Sequence, residues 1–226
     1  MLVWLEAIDR NLFLRLNGWW WGALDLPMFF ISQAWVWTPV FLFLLWILFR
    51  RFPAGVERSL IVVGIVVCVG GTDLISSKLI KPNAHRFRPA YDQTIASETH
   101  TIRGPDGERY RGGRYGFVSS HAANFFGIAT FGSRLLGRRW APWLLAWASL
   151  VAYSRIYLGV HFPGDIIGGL LVGVMWASIV SYCIRAGLAG AGRPPAPFVA
   201  DYPPSTGGPV SSALAVSALS RRISGR

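Results

Sequence analysis

The sequence predicts an all-α integral membrane protein, a bundle of about five transmembrane helices with an N-terminal helix in the membrane interface. Hydrophobic residues make up 53% of the 226 residues and charged residues only 15%, whereas a soluble domain carries about 25% charged residues. Several apolar runs have the roughly 20 residues that a helix needs to cross a bilayer. One long polar segment, residues 81–117, interrupts these runs and predicts a single large extracytoplasmic loop.

Residues 1–20 combine apolar residues at helical spacing with charged ones. The apolar positions recur every three or four residues, at Leu2, Leu5, Ile8, Leu12 and Leu16. This pattern predicts an amphipathic helix that lies in the interface, with Trp19–Trp21 as a headgroup anchor. A sixth span here is the alternative, and it would place Glu6, Asp9, Arg10 and Arg15 in hydrocarbon at a high energetic cost.

The five predicted spans are Pro27–Phe49, Ser59–Ile80, Ser120–Leu136, Trp140–Leu158 and Pro163–Ile184. Within the long loop, Gly104–Gly107 has the composition of a turn at the tip of a small hairpin. From Ala186 the composition changes to Gly, Pro, Ala and Ser. We therefore predict a membrane-embedded domain over residues 1–186 and a disordered tail over residues 187–226.

The formal net charge is +11, and only two of the 22 basic residues are lysine. Arginines that flank apolar runs indicate contact with anionic headgroups and phosphates rather than with nucleic acid. Three short basic regions share one side of the predicted bundle, around Arg50–Arg58, Arg138–Arg139 and Arg185. The positive-inside rule makes that side cytoplasmic in the inner (plasma) membrane, although the arginine-rich long loop blurs the rule.

Three polar clusters lie in the connections on the opposite, periplasmic or exterior, side. In the cluster around Tyr153–Asp165, a carboxylate at Asp165 can fix the tautomer of His161 and leave one imidazole nitrogen free as a nucleophile. The fork of donors on Arg155 suits phosphate oxygens. The alternative is that Asp165 only caps the fifth span while His161 is an ordinary interface histidine.

The other two clusters supply further groups that suit an anion. Ser119 and Ser120 open the third span, where free N–H groups and positive potential favour a phosphate, and His121 can give a proton to a leaving oxygen. Lys81 and Arg88 follow the second span. The alternatives are a simple serine cap and cations that extend to the interface.

Together these residues resemble the three signature motifs of the type 2 phosphatidic acid phosphatase family. The resemblance rests on Lys81-x6-Arg88-Pro89, Ser119-x-His121, and Ser154-Arg155-x5-His161-x3-Asp165. That family includes glucose-6-phosphatase and the soluble vanadium haloperoxidases. The third motif matches at every defining position. The second departs from the family's Pro-Ser-Gly-His, because this chain reads Val118-Ser119-Ser120-His121.

The resemblance implies a role for each matched residue. His161 would attack phosphorus to form a phosphohistidine, Asp165 would orient it, and His121 would protonate the leaving oxygen. The remaining matched positions would bind the phosphate oxygens: Lys81, Arg88, Ser119, Ser120 and Arg155. No metal constellation or cofactor motif occurs in the sequence, so we expect a metal-independent phosphatase without a cofactor. His85 and His100 receive no role.

The expected partners are a lipid phosphate substrate and membrane lipids, with no nucleic acid. An outward-facing site favours hydrolysis of undecaprenyl diphosphate to the monophosphate. A phosphatase for phosphatidylglycerophosphate or phosphatidic acid, and a lipid A 1-phosphatase, are the other enzyme readings. A non-catalytic binder or transporter of anionic lipid stays open as well, although binding alone requires only the cations and neither histidine.

Overall fold

The computed structural model describes residues 2–52, 55–104 and 107–190, and it is an all-helical bundle. Three stretches are long and apolar enough to cross a membrane: Ala34–Arg51, Val56–Ala84 and Pro163–Ala189. The predicted all-α membrane class is therefore confirmed. The predicted count of about five spans stays a prediction, because the helices at Ser120–Leu136 and Ala141–Tyr157 have only 17 residues each.

The N-terminal third contains helices α1 (Leu2–Asn17), α2 (Gly22–Ile31) and α3 (Thr38–Arg51). The prediction of one span over Pro27–Phe49 was wrong, because α2 ends at Ile31 and a 3₁₀ turn, Ala34–Trp37, precedes α3. Side chains stabilise this break. The Ser32 hydroxyl donates to the Phe29 carbonyl at 2.8 Å and the Trp37 indole N–H donates to the Ile31 carbonyl at 2.8 Å, which satisfies carbonyls that a continuing helix would have bonded.

The second predicted span extends further than expected at both ends. Helix α4 (Val56–Asp73) continues through a π-helical stretch, Leu74–Ile80, into α5 (Lys81–Ala84). Lys81 therefore lies in the helix and not in the loop. Pro82 lacks an N–H and cannot continue a regular α-helical hydrogen-bond ladder, and the wider π-helical turns come immediately before it.

Three further helices complete the bundle: α6 (Ser120–Leu136), α7 (Ala141–Tyr157) and α8 (Pro163–Gly190). Helices α6 and α8 approach closely because α8 has glycine at the contact, and a methyl group at Gly169 or Gly173 would collide with the backbone of α6. Helix α8 continues past the predicted end at Ile184. Residues 191–226 lie outside the described residues, so the disordered tail stays a prediction.

The long loop folds back on itself. Phe87 pairs with Tyr115 in an isolated antiparallel bridge, and Arg103 pairs with Arg109 in a second one. The second bridge, with the Gly104 N–H donating to the Glu108 carbonyl at 2.7 Å, agrees with the hairpin predicted around Gly104–Gly107, although residues 105–106 of its tip lie outside the described residues. It brings Tyr110 towards the end of α7, where the Tyr110 hydroxyl accepts a hydrogen bond from Arg155 Nη1 at 3.2 Å.

Helix α1 presents two different faces. Leu5, Ile8 and Leu12 are exposed, in agreement with the predicted lipid-facing side. The opposite face is buried against the α7–α8 connection. There Phe13 packs edge-on against Phe162, with ring centroids 5.3 Å apart, and the Asn17 amide donates to the carbonyls of Ile156 and Tyr157 at 2.9 Å each.

Candidate active site

His161 and Asp165 form a buried pair at the start of α8. His161 Nδ1 lies 3.3 Å from Asp165 Oδ2, and the two residues are 1% and 0% exposed. The same oxygen accepts the Phe162 backbone N–H at 3.0 Å, so Asp165 also caps its helix in the manner of a capping box. With the proton on Nδ1, the imidazole donates to the carboxylate and its Nε2 lone pair is free.

Two buried arginines lie beside this pair. Arg155 is 3% exposed and Arg88 is 8% exposed. Sequence analysis placed Arg155 in the connection, but the residue belongs to the last turn of α7. Arg88 Nε donates to the Tyr115 carbonyl at 3.0 Å. Arg88 Nη1 and Arg155 Nε have no acceptor in the described part of the chain, which is costly for a buried donor unless a ligand accepts the bond.

The charges of these groups act on one another. Burial, and next the charge of Arg155, lowers the pKa of Arg88 to about 10. Burial also holds the pKa of His161 well below its ordinary value, and the charges of Arg88, Arg155, Lys81 and Arg86 lower it further. His161 is therefore neutral at pH 7, which is the form that a nucleophilic imidazole requires.

The N-terminus of α6 forms the remaining wall. Ser119 caps the helix through a 3.4 Å bond from Ala122 N–H, and its own N–H donates to the Asp165 carbonyl at 3.0 Å. Ser120 Oγ lies 2.8 Å from Ser77 Oγ and 3.4 Å from Lys81 Nζ. The serine that replaces the family's glycine thus adds a hydroxyl beside Lys81.

His121 follows in the first turn of α6, within electrostatic reach of Arg155, His161, Arg88 and Lys81. The structure thus brings all the candidate residues from the three sequence clusters to one end of the bundle, which we call the site end. Here α4–α5 ends, α6 begins and the α7–α8 connection turns. A helix N-terminus and several cations around two histidines can stabilise the charge of a transferring phosphoryl group.

Sequence analysis missed two residues that contact Asp165 or its helix. Arg86 Nη1 donates to Asp165 Oδ1 at 2.8 Å, and Arg86 Nη2 donates to Asp9 Oδ2 at 2.6 Å. Asp9 belongs to α1, and its other oxygen accepts the Gly164 N–H at 2.8 Å. No local pattern marks either residue, because the contacts join positions far apart in the chain.

The two histidines without a predicted role lie elsewhere. His85 is exposed and packs against Tyr115. His100 Nε2 lies 3.1 Å from Asp25 Oδ1, and the His100 ring stacks on Trp20 with centroids 4.5 Å apart. Within residues 2–52, 55–104 and 107–190, no three His, Cys, Asp or Glu side chains group as metal ligands. Metal independence stays a prediction.

A groove of about 1330 Å³ adjoins the site on the side of Arg86. It lies between α1, the segment after α5 and the first turn of α8. Leu5, Ile8 and Leu12 of α1 and Ile167 of α8 give it apolar walls that continue onto the exposed surface of the bundle. Phe162, Pro163 and Gly164 of the α7–α8 connection also line the groove, whereas His161 and Asp165 are not among its lining residues.

An all-α membrane bundle with this site has the make-up of a membrane-embedded lipid phosphatase. The chain belongs to the PAP2 superfamily, whose family model matches residues 59–187. It is 39% identical to the lipid A 4'-phosphatase of Porphyromonas gingivalis, an alignment that covers 74% of this chain and 69% of that protein. Identity to the lipid A 4'-phosphatase of Bacteroides thetaiotaomicron is 33%, over 76% of this chain and 75% of the relative.

Two further comparisons bear on substrate and fold. The chain is 30% identical to the undecaprenyl-diphosphatase of Sulfolobus acidocaldarius, over 80% of this chain and 76% of that one. The crystal structure of a transmembrane PAP2-type phosphatidylglycerolphosphate phosphatase from Bacillus subtilis superposes with a TM-score of 0.57 and 20% identity, covering 79% of this chain and 85% of the other. This likeness supports the fold.

Proposed function

We propose that the protein hydrolyses a lipid phosphate through a phosphohistidine on His161. Nε2 of His161 attacks phosphorus as the P–O bond to the leaving group breaks. His121, protonated once the negative charge of the phosphate is bound beside it, gives the leaving oxygen a proton. The Nδ1 proton stays on His161 throughout, in a hydrogen bond to the Asp165 carboxylate. A water molecule then attacks the phosphohistidine and gives a proton to His121 as the N–P bond breaks, and inorganic phosphate leaves. Lys81, Arg88, Arg155 and the Ser119–Ser120 turn bind the phosphate oxygens.

One observation carries this proposal, namely the pair of buried arginines with unpartnered N–H groups beside a neutral His161. Buried donors without acceptors cost about 1–3 kcal/mol each, and a phosphate would supply the missing acceptors. A protein that only binds a lipid phosphate would use the same cations. The buried His161–Asp165 pair favours catalysis, because binding alone does not need an oriented neutral imidazole.

For the substrate, we infer a phosphorylated glucosamine lipid of the lipid A type, with the 4'-phosphate as the scissile group. The support is the identity of 39% and 33% to two lipid A 4'-phosphatases over about three-quarters of the chain. This order of candidates differs from that of the sequence analysis, which favoured undecaprenyl diphosphate because the site was expected to face outward in a small chain of bacterial type. Undecaprenyl diphosphate is the second candidate, supported by the 30% identity to an undecaprenyl-diphosphatase.

A substrate panel tests both parts. The purified protein is given lipid A, undecaprenyl diphosphate, phosphatidylglycerophosphate and phosphatidic acid in detergent, and released phosphate is measured. We expect the highest kcat/KM for lipid A with loss of its 4'-phosphate. ³²P-labelled substrate should leave label on the wild-type chain and none on His161→Ala. Turnover without label on the chain would contradict the proposed phosphohistidine intermediate. A higher kcat/KM for undecaprenyl diphosphate than for lipid A would contradict the proposed substrate.

We also propose that the site end faces the periplasm or exterior of the inner (plasma) membrane. The arginines of the opposite end support this sidedness. A cysteine at Glu108, introduced after Cys68 and Cys183 are replaced by serine, should react with a membrane-impermeant maleimide once the outer membrane is permeable. A cysteine at Arg138 should react only after the inner membrane is opened. The reverse pattern puts the site in the cytoplasm.

A further inference from the structure

The carboxylate that faces His161 has two oxygens with different partners. Asp165 Oδ2 meets His161 Nδ1 at 3.3 Å and the Phe162 N–H at 3.0 Å. For Asp165 Oδ1, the hydrogen bond that the structure gives is the 2.8 Å bond from Arg86 Nη1. The rotation of the carboxylate is therefore set by the Phe162 N–H on Oδ2 and by Arg86 on Oδ1.

Arg86 is itself held from the other side of the groove. Its second terminal nitrogen donates to Asp9 Oδ2 on α1 at 2.6 Å, and its guanidinium lies over the Phe162 ring, 4.5 Å from the centroid. Asp9 Oδ1 accepts the N–H of Gly164, the residue before Asp165. These contacts close a ring through Asp9, Arg86, Asp165 and Gly164, which joins α1 to the first turn of α8.

We propose that Arg86 and Asp9 are positioning residues for the nucleophile, with α1 fixing Arg86 and Arg86 fixing the Asp165 carboxylate against His161. The inference rests on the proposed function, because it concerns the same histidine. Arg86 differs from Arg88, two residues further on, in the hydrogen bonds of its guanidinium. Both terminal nitrogens of Arg86 are bonded to carboxylates, whereas Arg88 Nη1 has no acceptor among the described residues.

The chain offers a matched control for this network. Arg10, the neighbour of Asp9 on α1, forms an ion pair of 2.8 Å with Asp92 in the same long loop. That ion pair also joins α1 to the loop, but neither partner contacts Asp165 or His161 in the described hydrogen bonds. Loss of the Arg10–Asp92 pair therefore measures the effect of weaker attachment of α1 to the loop. Loss of the Asp9–Arg86 pair adds the effect of a displaced Asp165 carboxylate.

The experiment compares Asp9→Asn with Arg10→Gln in the full chain, using lipid phosphate and p-nitrophenyl phosphate. A small misplacement of a reacting group costs up to about 10²-fold in rate. We expect Asp9→Asn to lower kcat about tenfold and to leave KM within about twofold, because substrate contacts are intact. Arg10→Gln should keep both constants within about twofold of the wild type.

A pH profile separates positioning from a purely structural role. Five elements present charged or titratable groups to His161. These groups are Asp165 on α8, Lys81 on α5, Arg86 and Arg88 in the long loop, Arg155 on α7 and His121 on α6. Arg86→Gln removes one cation from this set. The acid limb of kcat/KM should therefore move to higher pH. Arg86→Lys should return the acid limb to its wild-type pH, because the variant keeps the positive charge. It should not restore the full kcat, because an ammonium cannot bridge both carboxylates.

Three outcomes overturn the inference. The first is an equal kcat for Asp9→Asn and Arg10→Gln. The second is a rise in KM alone for Arg86→Gln, which would make Arg86 a substrate ligand. The third is an acid limb of Arg86→Gln at the wild-type pH. If Arg86→Gln fails to fold, Asp9→Asn decides alone, because it changes only one oxygen of a partly exposed side chain. A wild-type protein without phosphate release would instead overturn the proposed function, and the inference with it.

Discussion

The two ends of the bundle use arginine in opposite ways. At the end where α3 and α6 finish, Arg51 Nη1 donates to the Leu136 carbonyl at 2.9 Å. Arg58 there donates to the carbonyls of Phe49 at 2.9 Å and Phe52 at 3.3 Å. These bonds satisfy the last carbonyls of helices, which is a stabilising arrangement for a cation. At the site end, Arg88 and Arg155 are buried and each keeps an N–H without an acceptor in the described residues.

The difference explains why the arginine count alone gives an ambiguous topology. At the opposite end, Arg51 and Arg58 bond to carbonyls at helix ends, and the proposed sidedness would make them the arginines that the positive-inside rule counts. Two arginines of the long loop have another use, since the charges of Arg86 and Arg88 act on His161 and lower its pKa. A basic residue that is satisfied by the protein serves the fold, and one that is buried with a free N–H is available to a phosphate. Four predictions test this distinction.

The largest effect is expected for Arg155→Gln. Loss of a preorganised donor to a developing charge costs about 10²–10³-fold in kcat, and Arg155 is buried beside His161. Arg58→Gln, at the opposite end, should leave kcat within about twofold. Steady-state kinetics on the preferred lipid phosphate measures both. Equal losses in the two variants would mean that arginine at the site end serves only the fold.

The second effect concerns His121, which lies among the site cations. Proton transfer by a positioned side chain contributes about 10²–10⁴-fold. His121→Ala should therefore lower kcat on a lipid phosphate by about 10²-fold or more. The loss on p-nitrophenyl phosphate should be much smaller, because its leaving group needs little protonation. The ratio of the two rates is the measurement, and an unchanged ratio would remove His121 from the acid role.

The third prediction is a pH dependence from His161. Its pKa in the folded protein lies well below the ordinary 6.5, through burial and then the charges of Arg88, Arg155, Lys81 and Arg86. The folded protein keeps His161 neutral just below pH 6.5, while the unfolded chain binds a proton there. Stability should therefore fall as pH drops below about 6.5, and activity should persist below that value. Thermal unfolding and a kcat/KM profile test this; an acid limb at or above pH 6.5 contradicts it.

The smallest effect is expected for Arg51→Gln at the opposite end. Its bond to the Leu136 carbonyl joins α3 to α6, and a typical hydrogen bond contributes about 0.5–1.5 kcal/mol. The melting temperature in detergent should fall by a few degrees, with kcat and KM unchanged. If Arg51→Gln lost activity while its melting temperature stayed at the wild-type value, the two ends would be coupled and the comparison would fail.

Local patterns predicted most of the helices, and they marked the three polar clusters that the structure brings together at the site end. The period of apolar residues marked α6 at Ser120–Leu136 correctly, and α1 with its exposed Leu5, Ile8 and Leu12. The α2–α3 break was missed, because Ser32 and Trp37 create it through side-chain bonds that hydropathy does not measure. Close packing at the glycines of α4 is decided by neighbours far along the chain: a methyl group at Gly64 or Gly71 would collide with Phe131 or Trp176, whereas one at Gly70 would face open space.

The sequence by itself determined the class of the protein, its membrane character and the residues that could bind and attack a phosphate, because each of these depends on residue type and short-range spacing. Only the tertiary structure decided how those residues are held. The link from Asp9 through Arg86 to Asp165 joins α1, the loop and α8. Tyr110 reaches Arg155 only because the hairpin folds back. Such contacts depend on how helices pack, and no local pattern in the chain encodes a distance between segments that lie far apart in sequence.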